Sequence, residues 1–208
     1  MHKTIMNFSN RQFYDNLLQA HPSVSERILV NFQEEKPVVF IDTAGCGFDE
    51  KVQPENKSRF NPEEFYALRE HLYQYLDAFA YEKPSIGIIS PYREQVLFME
   101  KEIETDPLLT NIKLTVATID GFQGQERDVI YISLVRSNTK SEIGFLTDYR
   151  RMNVAMTRAR MKLIVVGDSG TVGNDKFYKS FLDYADTEGS YRSAWAFMKP
   201  WVGDSFKK

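Results

Sequence analysis

Residues 114 to 136 read LTVATIDGFQGQERDVIYISLVR, and the polar stretch inside this run gathers groups suited to phosphates and hydroxyls. Two apolar segments flank Thr118, Asp120, Gly121, Gln123, Gly124 and Glu126. Glycines at 121 and 124 let the backbone approach a phosphate or take a positive φ. Asp120 and Glu126 are acceptors for a hydroxyl or partners for a neighbouring arginine. The same residue types also fit an ordinary glycine-containing connection with solvated carboxylates. In an open parallel sheet ligands gather at the carboxyl ends of the strands, so a polar loop directly after LTVAT is where a site is expected.

A second segment, DYRRMNVAMTRARMKLIVVG (148–167), places Arg150, Arg151, Arg158, Arg160 and Lys162 within thirteen positions, with hardly an acid among them. Arg151, Val154, Arg158 and Met161 recur at three- and four-residue spacing, while Met152, Ala155, Met156 and Ala159 form an apolar side. The pattern predicts a helix from about Tyr149 to Arg160 that runs into a buried strand. Guanidinium groups held near a sheet are suited to planar, two-pronged phosphate contacts, although a solvated basic face has the same composition. In a third segment, IISPYREQV (88–96), Ser90 and Pro91 open a helix, and Tyr92, Arg93 and Gln95 are expected to project from its first turn. A helix N-terminus attracts phosphate and a tyrosine ring stacks on a base; a half-buried tyrosine is the plainer alternative.

Other chemistries find no support. VVFIDTAG (38–45) has the look of a strand and magnesium loop of a small GTPase. That assignment requires G-x-x-x-x-G-K-[ST], which occurs nowhere in the chain. His2, His21 and His71 show neither metal spacing nor a partnered nucleophile, so no metal ligands are assigned. Cys46 is the one cysteine, which excludes an intrachain disulfide and a cysteine-based zinc site. The 26 basic against 29 acidic residues leave a net charge of -3, unlike a protein that coats nucleic acid, though a local basic stripe remains possible. No run approaches the ~20 apolar residues that span a bilayer, and the expected setting is soluble and cytoplasmic, without a membrane partner.

Elements able to position these groups follow from the periodicity. Helices are expected over residues 6–19, ended by His21-Pro22, and from Asn61-Pro62 to about Phe79. PVVFID (37–42), SIGIIS (85–90), LTVAT (114–118), DVIYISLV (128–135) and KLIVVG (162–167) read as strands, and 43–60 as a long loop. A further helix is expected from Asp175 to Ala185, within a helical tail over 173–208 that holds Trp195 and Trp201. Unbroken apolar strands alternating with helices predict a doubly wound α/β fold, with a mainly parallel sheet covered on both faces, in one domain over 1–208.

Taken in order, these segments resemble the motifs of superfamily 1 helicases, in the branch of the nonsense-mediated-decay and Okazaki-fragment-processing helicases. VATIDGFQGQERDVIYISLVR resembles motif V, RRMNVAMTRAR motif VI and GIISPYREQV motif IV. The opening MHKTIMNFSNRQFYDNLL resembles the segment after the family's glutamine-tyrosine-arginine element, with Lys3 where a proline is usual. The likeness covers about residues 1–167. It implies a RecA-like second motor domain in which Arg158, and after it Arg151, reach the γ-phosphate of ATP as arginine fingers. It also implies that Gln123, Gly124 and Glu126 line the nucleotide, with Glu126 near the ribose. Thr118 and Asp120 are then expected to face a single-stranded DNA or RNA track, with Ser90, Tyr92 and Gln95 in the motif IV region beside it. ATP with Mg2+ is expected to be held mainly by an N-terminal RecA-like domain of the same protein. The phosphate-binding loop of that domain is not in these residues, so the chain alone is expected to be inactive. A stand-alone nucleic-acid-binding or regulatory module of the same fold is the alternative.

Overall fold

In a computed structural model, residues 1–30, 36–110 and 112–198 are described. In chain order the elements are α1 (Lys3–Phe13), α2 (Pro22–Ser25), β1 (Val38–Asp42), β2 (Lys51–Val52), β3 (Arg59–Phe60), α3 (Pro62–Gln74) and α4 (Leu76–Glu82). They continue with β4 (Ile86–Ser90), α5 (Arg93–Glu104), β5 (Leu114–Thr118), β6 (Arg127–Ser133) and α6 (Tyr149–Met156). The last are β7 (Ala159–Gly167), α7 (Ser169–Val172), α8 (Lys176–Thr187) and β8 (Ser190–Ser193).

Six strands form one sheet in the order β5-β4-β6-β7-β1-β8, and every pairing in it is parallel. The central strands are mostly apolar and buried along nearly their whole length, as a sheet covered on both faces demands. One cover, on the α1, α6 and α8 side, packs Phe8, Phe122, Met152, Phe177 and Phe181; the other, on the α3 and α5 side, packs Phe65, Leu68, Leu72, Val96 and Met99. Each such side chain taken from water contributes about 1.5–3 kcal/mol. The fold class is therefore the expected one, a doubly wound RecA-like α/β sandwich.

The element bounds differ from expectation at several places, each with a local cause. The first helix ends at Phe13 rather than near 19, because Asp15 and Asn16 take positive φ and the Asn10 side chain hydrogen-bonds both backbone groups of Leu18. Leu17 is consequently 79% exposed. The helix opened by Asn61 and Pro62 starts as expected, with the Asn61 side chain capping the Glu64 N–H, but breaks at Tyr75 and resumes as α4. The stretch 43–60 contains a small antiparallel pair, β2 with β3. The tail is not wholly helical: Ser190–Ser193 adds a sixth strand alongside β1, too short and too polar to register as one by pattern. Trp195 follows it on a 3-10 turn, 58% exposed, while Trp201 lies outside the described residues.

Gly87 is a close-approach glycine. A Cβ there would fall 2.5 Å from Phe122 Cζ and 2.8 Å from Ile130 Cδ1. The bare backbone lets the turn between β5 and β6 press its phenylalanine onto the sheet. Gly87→Ala is expected to destabilise the chain by about 1–3 kcal/mol through overpacking, read as a lower denaturant midpoint at unchanged slope.

Candidate nucleotide and single-strand site

The turn of residues 119–126 carries the chain from the carboxyl end of β5 back to the amino end of β6, across the face that α6 covers. Thr118 Oγ1 accepts the Gly121 N–H at 3.2 Å, and Thr118 O accepts the Phe122 N–H at 3.0 Å, which closes the turn tightly. Phe122 is fully buried and anchors it. Arg127 fastens the far end: its guanidinium donates to Gln125 Oε1 at 2.7 Å, Thr115 Oγ1 at 3.2 Å and Glu126 O at 2.9 Å, and lies over the Phe122 ring. Asp120, Gln123, Gly124 and Glu126 are left exposed on a rigid scaffold. Gly124 has φ +76°, and a Cβ there would meet nothing within 4 Å, so the backbone at this point is open to a ligand.

Helix α6 lies beside this turn. Asp148 caps it by accepting the Arg151 N–H, and Met152, Ala155 and Met156 are buried on one side. The helix ends at Met156, four residues earlier than the spacing predicts, where the Thr157 hydroxyl turns back to Asn153 O. Arg158 therefore stands on the turn into β7, and Arg160 on the strand itself. The arginines are committed differently. Arg151 Nη2 donates to Asp120 Oδ2 at 2.5 Å. Arg160 Nε donates to Glu126 Oε2 at 3.1 Å. Arg158 donates from Nε to Val154 O at 3.1 Å and, among the described residues, has no carboxylate partner. Its outer nitrogens form an uncommitted cationic fork, and among the described residues Arg150 of α6 likewise has no carboxylate partner.

Strand register divides the candidate residues between two ends of the sheet. Ser90 pairs in register with Thr118 at the carboxyl edge. Arg127 pairs with Ala159 at the amino edge, and the Arg127 N–H reaches Arg158 O at 3.0 Å. Glu126, Arg158 and Arg160 thus sit at the opposite edge from Thr118 and Ser90. The loop after LTVAT begins at the carboxyl edge, where sequence places a site, and finishes at the other edge, because parallel strands force the connection to cross the sheet.

The expectation that Tyr92 and Gln95 project from the first turn of α5 is corrected. Ser90, Tyr92 and Gln95 are all buried. Gln95 Oε1 accepts the Asn61 N–H at 2.8 Å, and its Nε2 donates to Asn61 O at 3.1 Å and Ser133 Oγ at 3.0 Å. Ser133 in turn donates to Glu64 Oε1, and both Glu64 oxygens accept the Val135 N–H, at 3.0 and 3.1 Å. Val135 is a buried β-branched residue at φ +71°, a strained conformation that persists because this network holds it. Burial pushes the Glu64 carboxyl up to about 8, against the downward pull of the Ser133 and Val135 hydrogen bonds. The next residue, Arg136, is buried with Nε on Glu50 Oε2 at 2.7 Å, and the Ser137 N–H donates to the same oxygen at 3.0 Å. Glu64, Val135, Arg136 and Glu50 carry no signal of this in sequence. Glu64 reads there only as an acid in a first helical turn, favourable to the helix dipole.

A parallel, doubly wound sheet covered by helices on both faces, with a glycine-open crossover turn on one of them, defines a RecA-like α/β domain. The chain belongs to the AAA_12 family of AAA domains, which matches residues 1–170, and with it to the superfamily 1 helicases. It is similar to the rat DNA-binding protein SMUBP-2, at 34% identity over 99% of the chain and 21% of that protein. It is 37% identical to the DNA polymerase alpha-associated DNA helicase A of Saccharomyces cerevisiae, over 92% of the chain and 30% of the relative. Helicase SEN1 of the same yeast is 36% identical over 89% of the chain and 9% of its own length. The chain thus spans under a third of each of these relatives. Among the described residues no helix is long and apolar enough to cross a membrane.

Proposed function

We propose that this chain acts as the second motor domain of an ATP-dependent helicase, its amino edge facing the nucleotide and its carboxyl edge a single strand of DNA or RNA. The observation that carries this reading is Arg158, an uncommitted guanidinium on the turn between α6 and β7, next to a crossover turn with an open glycine backbone. That donor set suits a polyphosphate: peptide N–H groups at Gly124, a two-pronged cation at Arg158 and a second at Arg151 once it leaves Asp120. ATP, with its Mg2+ and phosphate cradle supplied by an N-terminal RecA-like domain of the same protein, would supply the γ-phosphoryl group whose transfer to water, leaving ADP, drives stepping. Arg158 is the principal finger and Arg151 the second, while Gln123, Gly124 and Glu126 border the nucleotide, with Glu126 positioned by Arg160. Thr118 and Asp120 face the strand at the other edge. Ser90, Tyr92 and Gln95 support it from beneath, since their side chains are spent inside the fold.

Asp120 couples the two edges. It belongs to the turn that begins at Thr118, and its carboxylate holds the Arg151 fork, so drawing Arg151 toward a phosphate releases the turn. The whole reading is tested by measuring ATP hydrolysis by the full-length protein with and without single-stranded DNA or RNA. Stimulated turnover is expected. A full-length protein that neither hydrolyses ATP nor retains a single strand sinks the motor assignment, whereas strand binding without hydrolysis favours the module alternative.

A further inference from the structure

Phe145 is placed unusually for a phenylalanine. Its neighbours Ile143 and Leu146 are buried, yet its own side chain is 65% exposed. It stands on the 3-10 turn Gly144–Thr147 that leads directly into α6. Its ring rests against that of Tyr92, 5.5 Å between centroids and 38° between planes, and Tyr92 is buried. Beneath the turn the packing is closed. Gly144 has φ +52°, and a Cβ there would fall 2.1 Å from Arg136 Nη1 and 3.1 Å from Tyr92 Oη. Arg136 is itself fixed by Glu50, so the turn lies on a rigid floor with its one large apolar side chain directed outward.

Tyr92 follows β4, whose last residue, Ser90, is in register with Thr118. Phe145 therefore stands at the carboxyl edge, on the Thr118 side of the molecule and at the far end of the sheet from Arg158. The aromatic that sequence suggests for base stacking, Tyr92, is covered; the ring that covers it is the one solvent reaches. An exposed ring on a rigid base is what stacking on unpaired nucleic acid requires. Every base offers a π face, so such a platform tolerates any sequence.

We infer that Phe145 is a base-stacking platform for single-stranded nucleic acid, an inference that rests on the reading of the carboxyl edge as the track. Asp148, three residues on, caps α6; α6 carries Arg151 and ends at the turn that carries Arg158. Platform and finger thus lie at two ends of one short run of backbone, and a base arriving on Phe145 acts on the element that presents the finger.

The test is fluorescence-anisotropy binding of the full-length protein to an oligothymidylate and to an abasic oligomer of equal length, which keeps the phosphates and lacks the bases. Phe145→Ala is expected to weaken oligothymidylate binding by about 5- to 150-fold, the loss of one stacked base, and to leave abasic binding unchanged. Phe145→Trp is expected to restore the wild-type difference. Equal loss on both oligomers, the result for a side chain that merely shapes the edge or docks protein, overturns the inference. So does an oligothymidylate affinity indifferent to Phe145→Ala. Wild-type protein that binds neither oligomer removes the track reading itself, a failure distinct from that of the platform alone.

Discussion

Arg158→Ala is expected to lower strand-stimulated ATP turnover of the full-length protein by about 10³- to 10⁵-fold with nucleotide binding retained. The size of the effect follows from when the contact is needed. Charge on the transferring phosphoryl group peaks in the transition state, so a cation aimed there raises turnover more than it raises affinity. Arg158 is suited to this because its Nε is held by Val154 O while its outer nitrogens meet no carboxylate among the described residues. Arg158→Lys keeps the charge and loses both the fork and the Val154 anchor, so only partial recovery is expected. Arg151→Ala should have the smaller effect, since the Arg151 fork must first leave Asp120. Steady-state turnover alongside nucleotide affinity separates these cases. If Arg158→Ala turns over normally while Arg151→Ala does not, the two assignments exchange. If both are normal, neither arginine is a finger.

The second large effect lies at Glu64 and is one of stability. Its carboxyl is fully buried and raised from 4.5 to about 8. A group whose pKa rises on folding binds a proton more tightly in the native state. Its contribution is therefore complete below the unfolded value and is lost as pH climbs through the folded one. Unfolding free energy is expected to fall by on the order of 4 kcal/mol between pH 5 and pH 8. His2, lowered by burial, acts in the opposite direction, adding stability as pH rises. The comparison that isolates Glu64 is therefore wild type against Glu64→Gln. The glutamine cannot ionise, keeps a carbonyl acceptor for Val135, and should remove the downward slope. Glu64→Ala leaves the buried Val135 N–H and Ser133 hydroxyl without acceptors and is expected to cost on the order of 2–5 kcal/mol at pH 5. Denaturant unfolding across the pH range reads all three, and a Glu64→Gln profile as steep as wild type would place the titration elsewhere.

These two residues also show how unevenly the site could be read from sequence. Arg158 was legible because motif VI is a contiguous run in which resemblance acts residue by residue, yet its position was not. Helical spacing continues to Arg160, while the real helix stops at Met156, because Thr157 turns its hydroxyl back and β7 claims Ala159 onward. Glu64 was hidden altogether. Its partners Ser133 and Val135 lie about seventy residues away and meet it only when α3 docks on the carboxyl end of β6.

By itself, the sequence determined the properties that depend on neighbours along the chain. Apolar runs too continuous for one-sided burial specified five of the six strands and a doubly covered parallel sheet. Asn61-Pro62 marked a helix start because caps act within one turn, and ordered motifs identified the helicase family. Tertiary structure alone decided which edge of the sheet each group occupies, since a parallel connection crosses the sheet and separates Thr118 from Glu126. It alone buried Tyr92 and exposed Phe145, joined Arg151 to Asp120, and left Arg158 without a carboxylate. Burial and pairing of that kind depend on contacts between segments distant in the chain, and periodicity carries no record of them.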